Sequence, residues 1–423
     1  MLVQGKTQTM TMTRWTVLSL TLLLLLMQGC GHAPKRENPI PVDKIDQASV
    51  PGVDNARMWP DQANFRSVLS SQKQVTWAQS WATATPAELK AVFGGIMNRP
   101  HHYLALSGGG SDGAYGAGVL AGWTRAGTRP DFTLVTGIST GALIAPFAFL
   151  GPEYDDELKK FFTTTSTRGI MIKRSTLSAI NSNAAADTAP LKSKIKTAFD
   201  DKFIAAIGAE FKKGRRLFIG TTNLDVSRPV IWNIGRIAAS GAPGANDLIH
   251  EIILASASIP GAFPPVFIDV EVDGQIYDEM HVDGGTVSQV YVYPIALDWK
   301  LVLKALNVKG KPSVYIIRNA KLKPKAETMP NKIFPISSRA ISSLVRTQGI
   351  GDLFRIYLET QRDGLDYNLT YIPDDFDVES KEPFDMDYMN ALYQVGHDMA
   401  AGGKVWLKAP PCYKGCKAFN YKN

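Results

Sequence analysis

The chain has 423 residues, 45% of them hydrophobic and 20% charged, with 36 Gly and 25 Pro. This is ordinary globular usage, and it excludes a collagen-like, coiled-coil or wholly disordered protein. The formal net charge of +7 is mild. Its basic residues are dispersed apart from Lys212-Lys213-Gly214-Arg215-Arg216, which reads as a solvated loop, so no nucleic-acid partner is expected. Length alone allows one large α/β domain or two to three smaller ones.

Lys6 and Arg14 precede an apolar run from Trp15 to Met27 that ends in Met27-Gln28-Gly29-Cys30. A spanning helix needs about 20 apolar residues. This shorter run reads as a secretory signal peptide over residues 1–29, with a short membrane anchor as the alternative. The residues before Cys30 resemble the lipobox of bacterial lipoproteins, with Met27 where Leu is usual. That resemblance implies a lipidated Cys30 and a lipid-anchored protein of the bacterial cell envelope, and Gly31 in place of Asp points to the outer membrane. Cleavage removes two basic and no acidic residues and so leaves about +5, which suits an anionic membrane surface. The remaining cysteines, Cys412 and Cys416, most simply close a small disulfide loop in an exported chain. A metal site is the rival, with no partner His or Cys nearby.

Residues 30–62 are rich in Pro, Asp, Asn and charge and predict a flexible tether. Residues 63–423 show no second linker, repeat or low-complexity tract, and so predict one catalytic domain with a C-terminal helical region and a disulfide-closed tail. His102 to Ser107 reads as a buried strand and Ala114 to Arg125 as a tightly packed helix. Phe132 to Thr136 is a second strand, followed by a helix over Thr140 to Leu150. Further strands are expected at Leu217 to Thr221, Val230 to Asn233, Val266 to Val272 and Val314 to Arg318. Helices are expected at Leu191 to Phe211 and Ala340 to Arg362. Strands alternating with helices predict a mainly parallel sheet covered on both faces. Ser175 to Ala189 is either a mobile cover or a surface loop.

Three motifs carry chemistry. Gly137-Ile138-Ser139-Thr140-Gly141 lies between a predicted strand and a predicted helix, a G-x-S-x-G elbow that exposes the Ser139 hydroxyl at a helix N-terminus. Gly108-Gly109-Gly110-Ser111-Asp112-Gly113 follows the first strand, and its backbone N–H groups could converge on a developing oxyanion. Gly108, Gly110 and Gly113 also match the G-x-G-x-x-G of dinucleotide sites. However, the acidic residue that would hold a ribose is missing from the end of the second strand, since Asp131 lies at its beginning. Close helix–strand packing is the third reading of these glycines. Asp283-Gly284-Gly285 alone suggests a turn, as Asp273-Gly274 does, but a serine nucleophile needs a base.

Together these motifs resemble the patatin-like phospholipase family. Ala255-Ser256-Ala257-Ser258-Ile259-Pro260-Gly261-Ala262-Phe263-Pro264-Pro265 is similar to a further segment of that family, and the motif core runs from about 101 to 293. The resemblance implies a three-layer α/β/α fold and a Ser139–Asp283 dyad. It also implies an oxyanion hole from Gly108, Gly109 and Gly110, and hydrolysis of lipid or other acyl esters through an acyl-enzyme, with no cofactor. Many members carry Arg or Lys where this chain has Asp112, so a catalytically impaired envelope scaffold is the alternative. Gln289 and Pro294 stand where Asn and Pro are frequent. His397 is the one histidine after Asp283, as a Ser-acid-His order would need, and reads as a surface or capping residue. His281 reads as lining the strand that leads to Asp283. Neither the histidines nor the acids show metal-ligand spacing. The lipid class and the oligomeric state are not legible.

Overall fold

His102–Leu106 is apolar without alternation because both of its faces are covered. Leu104 and Leu106 enter one core and Tyr103 and Ala105 the other, as expected of a strand inside a doubly covered parallel sheet. The computed structural model describes residues 36–58, 81, 83–175, 178–179, 182–294, 297–403, 405–411 and 413. Residues 1–29, Cys30, Cys412 and Cys416 lie outside the described residues.

The strands are β1 Arg57–Met58, β2 His102–Leu106, β3 Leu134–Ile138, β4 Ile172–Lys173, β5 Ala186–Asp187, β6 Arg216–Asn223, β7 Arg228–Asn233, β8 Val266–Val272, β9 Gln275–Asp283, β10 Ser313–Arg318 and β11 Asp366–Tyr371. The helices are α1 Pro86–Phe93, α2 Gly113–Arg125, α3 Thr140–Leu150, α4 Asp155–Thr163, α5 Thr167–Ile170, α6 Ala189–Ala198, α7 Asp201–Lys212, α8 Ile234–Ser240, α9 Ala245–Ser256, α10 Trp299–Ala305, α11 Ile333–Asp363 and α12 Met386–Ala401.

The main sheet runs β1-β7-β6-β3-β2-β10-β11, with the β8–β9 hairpin joined through β9 to β6. From β6 to β11 the strands are parallel, while β1, β7 and β9 pair antiparallel. One face carries α2, α3, α7, α9 and α12, whose side chains share a core with Leu104 and Val135. The other face carries α1, α10 and α11, packed around Tyr103, Val314 and Ile316. The architecture is the expected three-layer α/β/α sandwich with a mainly parallel sheet. The glycines of α2 let α12 cross closely: a Cβ on Gly118 or Gly122 would lie 2.0 or 2.1 Å from the carbonyl oxygen of Tyr393 or His397.

Asp273 and Gly274 both have positive φ and close the tight β8–β9 hairpin, as the Asp-Gly pair predicts. Two expectations need correction. The helix expected over Leu191 to Phe211 is broken at Phe199-Asp200, where the Asp200 carboxylate caps the N–H of Phe203 at 2.8 Å and starts α7. The tether expected over residues 30–62 is, over the described residues 36–58, docked on the domain. Its Ile45, Val50 and Val53 are buried, Arg36 pairs with Asp225 and Asp278, and β1 extends the sheet beside β7. Proline and charge make this segment irregular, yet its few apolar residues and its arginines find partners on β8, β9 and the β6–β7 turn.

Candidate active site

Topology brings the serine and the carboxylate together. Ile138, the last residue of β3, pairs with Gly220 of β6. The next residue of β6, Thr221, pairs with Asp283 at the end of β9. β9 therefore takes over the edge of β6 where β3 leaves it, and the chain turning out of β3 at Ser139 meets the end of β9. Ser139 has φ +55° and ψ −125°, a conformation that costs a non-glycine residue about 1–3 kcal/mol and persists only when its surroundings hold it. The flanking glycines are required by contact. A Cβ on Gly137 would lie 2.4 Å from the Gly141 carbonyl, and one on Gly141 would lie 2.2 Å from that of Leu106. The Ser139 N–H donates to Ser256 Oγ at 3.0 Å, and Ser256 donates to the Gly220 carbonyl at 2.6 Å.

Asp283 is buried and close enough to the Ser139 hydroxyl for that group to lower its pKa. One of its oxygens, Oδ1, also accepts from the Gly285 N–H at 2.7 Å. Its own N–H donates to the Ser258 carbonyl at 2.9 Å. Burial raises its carboxyl to about 7, against the lowering effect of the Ser139 hydroxyl and the Gly285 N–H. A carboxylate with that affinity for protons is matched to general-base work near neutral pH.

No histidine bridges Ser139 and Asp283 among the described hydrogen bonds. His281, two residues before Asp283, is fully buried with both ring nitrogens engaged, Nδ1 with Thr221 Oγ1 at 2.9 Å and Nε2 with Glu279 at 3.1 Å. Thr221 also accepts from Trp232 Nε1. These partners assign a neutral ring that donates from Nε2, and burial lowers its pKa. His397 sits at the α2–α12 crossing, bonded to Asp398 at 2.9 Å.

The glycine loop requires one correction. The Gly108 N–H is committed to the Gln289 carbonyl at 3.2 Å, whereas those of Gly109 and Gly110 have no acceptor among the described residues. Gly108 therefore cannot offer its amide to an oxyanion. It brings the loop up to the elbow instead: its Cβ would stand 3.1 Å from that of Ser139. Gly113 opens α2, where a Cβ would lie 2.2 Å from Thr140 Oγ1.

Sequence reasoning missed Asn319, directly after β10. It is wholly buried and accepts from the Gly116 N–H at 3.0 Å. It also donates to Ser107 Oγ from its backbone at 2.8 Å and to the Ser107 carbonyl from its side chain at 2.9 Å. Its own carbonyl oxygen lies 2.0 Å from where a Gly109 Cβ would be. The one available signal was an Asn at the C-terminal end of a predicted strand, the edge where α/β sites form. Gln289 bridges the two motifs from the other side, donating to the Gly285 carbonyl at 2.6 Å.

The Asp112 carboxylate accepts from Tyr388 of α12 at 2.7 Å, and burial raises its carboxyl to about 6. A positive charge reaches this region from β10 instead. Arg318 is 3% exposed, contacts Gln289 Oε1 at 3.4 Å and interacts electrostatically with Asp112 and Asp352.

An apolar pocket opens on Ser139 and Gly110, with about 480 Å³ of empty space including its mouth, lined by Leu143, Phe161, Phe162, Leu191, Phe263 and Met389 among others. Described parts of the Ser175 to Ala189 stretch are pinned beside it: Ala185 and Ala186 donate to the carbonyls of Gly261 and Ala262 at 2.9 and 3.0 Å. Among the described residues no cluster of His, Cys, Asp or Glu could hold a metal ion.

The fold and site define a three-layer α/β/α domain with a strained serine elbow and a carboxylate partner. The model of the patatin-like phospholipase family matches residues 104–295, which include all three motifs, and over this stretch the chain is similar to that family. That similarity supports lipid acyl hydrolysis in general terms. No curated protein matches the chain. Among solved structures, the crystal structure of VipD from Legionella pneumophila aligns with a TM-score of 0.36 and 11% identity, covering 72% of this chain and 66% of that one, just under two thirds of its length.

Proposed function

We propose that the protein cleaves carboxylic esters of lipids, phospholipids included, by a Ser-Asp dyad. The observation that carries this reading is the meeting of Ser139 and Asp283 where β3 and β9 end side by side on β6, with Asp283 buried, raised to about 7 and influenced by the Ser139 hydroxyl, and with no histidine hydrogen-bonded to either among the described residues. Ionised Asp283 accepts the proton of Ser139 as Oγ attacks the ester carbonyl. The N–H groups of Gly109 and Gly110 hold the tetrahedral oxyanion, and the alcohol leaves with a proton returned from Asp283. Asp283 then takes a proton from water as it attacks the acyl-enzyme, and returns that proton to Ser139 Oγ as the fatty acid leaves. The apolar pocket accepts the acyl chain. Ser139→Ala protein should not hydrolyse short acyl esters and should not react with a fluorophosphonate probe. Undiminished turnover in that variant would end the proposal.

We further propose that Cys30 is lipidated after removal of residues 1–29, which anchors the protein in the bacterial envelope, most simply the outer membrane, and that Cys412 and Cys416 form a disulfide. Each buried acyl CH₂ contributes about 0.8 kcal/mol to an anchor. Cys30→Ala should yield a soluble or unprocessed product, and unchanged processing and membrane retention would refute the anchor. Two reactive thiols in the mature protein would refute the disulfide.

A further inference from the structure

Helix α11 is much longer than the sheet it covers. It connects β10 to β11, each of six residues and paired in parallel register, about 20 Å of strand. Its 31 residues span about 46 Å. The fit to the sheet begins at Gly349, which packs on the guanidinium of Arg318 at the C-terminal end of β10; a Cβ there would lie 2.6 Å from the Arg318 Nη2. From Gly349 to Asp363 the helix covers about 22 Å, with Leu353, Ile356 and Tyr357 in the core. The preceding part, residues 333–348, adds about 24 Å and extends beyond the C-terminal ends of the strands. Ser139 stands on that edge, after β3, and so do the glycine loop after β2 and Asn319 after β10.

No described side chain in this extension is buried. Ile333, Ile336, Ile341 and Leu344 are 75, 49, 58 and 70% exposed. At about 100° per residue they occupy one arc of roughly 140°. Lys332, Arg339 and Arg346 lie together on the flank beyond Ile336; Arg339 is paired with Glu327 at 3.8 Å, and residues 328–351 contain no acid. Exposed aliphatic side chains on one face, with a cationic flank and no acid within the helix extension, match the plane between the acyl chains and anionic headgroups of a lipid surface. No described helix is long and apolar enough to cross a membrane, which fits a helix that lies on one.

We infer that the projecting half of α11, residues 333–348, is an interfacial helix that seats the catalytic edge on an anionic lipid surface. Its apolar face enters the acyl boundary, its cations meet the headgroups, and the mouth of the Ser139 pocket is held at the level from which an ester would be drawn. The inference deepens the acyl-hydrolase reading but can fail independently of it, because docking is measured without turnover.

The test uses the full chain with Cys30→Ala and Ser139→Ala, free of the lipid anchor and of hydrolysis. It measures co-sedimentation with vesicles of phosphatidylcholine, alone or mixed with phosphatidylglycerol. Binding should favour the anionic vesicles and weaken with salt. Lys332→Gln and Arg346→Gln should each weaken it about fivefold. Ile341→Asp with Leu344→Asp should weaken it by more than tenfold. With Ser139 restored, this pair should leave hydrolysis of a soluble short-chain ester unchanged, which also reports that the protein has folded. Vesicle binding that persists undiminished in the Ile341→Asp, Leu344→Asp protein overturns the inference. So does a concentration-dependent dimer that this pair dissolves while vesicle binding stays the same, because the face would then belong to a second copy. Absence of ester hydrolysis in the Ser139 protein would count against the proposed reaction and not against docking.

Discussion

Two of the three buried carboxylates of strand β9, Glu279 and Asp283, behave in opposite ways. Glu279 is wholly buried and bound by Arg57, one of whose hydrogen bonds measures 3.0 Å, and by His281. Burial would raise its pKa, but the Arg57 charge and these hydrogen bonds prevail and hold it at about 2. Asp283 meets no cation among the described residues, and burial raises it to about 7. The contrast separates a carboxylate used to tie the 36–58 segment to the sheet from one left short of compensation, and the uncompensated one faces a serine.

The sharpest break of this contrast removes the proposed base. Asp283→Asn should lower kcat for a short acyl ester by about 10²–10⁴. Thermal stability at pH 8 should rise or hold. A buried carboxyl whose folded pKa is raised weakens the fold increasingly as pH climbs from its unfolded value to about 7, and Asn removes that effect. Melting curves should therefore show a gain at pH 8 that shrinks toward pH 4. An Asp283→Asn enzyme with near-normal kcat would make the two acids equivalent.

Gly109→Ala should cost about 10²–10³ in kcat, since the new methyl group collides with the Asn319 carbonyl and displaces an oxyanion donor. On the structural side, Arg57→Ala should destabilise the protein by about 3–5 kcal/mol in urea unfolding, because it leaves Glu279 charged and buried. The kcat of the folded fraction should stay within a few-fold of normal. Glu279 also predicts the acid limb of stability: its contribution is present above its unfolded pKa and is lost as pH falls toward about 2.

In wild-type enzyme, kcat/KM should rise with pH around a midpoint near 7 as Asp283 ionises. A midpoint near 4 would remove the distinction between the two acids. The smallest effect belongs to His397→Ala, which should leave kcat within about twofold, since its ring bonds Asp398 at the α2–α12 crossing. A near-complete loss in that variant would point to a triad.

Local signals made much of this legible. The Ser139 elbow, the glycine loop, the β8–β9 hairpin and the helix over Thr140 to Leu150 each follow from a short stretch whose glycines or apolar residues answer to their immediate neighbours. The tether expectation failed for the opposite reason. Arg36 and Arg57 find their acids on β9 and the β6–β7 turn, roughly 190–240 positions along the chain, and no local pattern records such pairs. Asn319 was missed likewise, because its role exists only where β10 lies beside β2.

Chain order and residue type alone therefore indicated the class of fold and pointed to Ser139 and Asp283 as candidates, since turn geometry and periodic burial are short-range constraints. The folded assembly decided the rest. Sheet register lets β9 follow β3 along β6 and bring Asp283 to Ser139. Packing withdraws the Gly108 amide and the His281 ring from the chemistry. The mismatch between a 31-residue helix and six-residue strands leaves an apolar, cationic extension at the catalytic edge. Each of these depends on desolvation and distance between segments far apart in the chain, quantities that come into being only when the layers close.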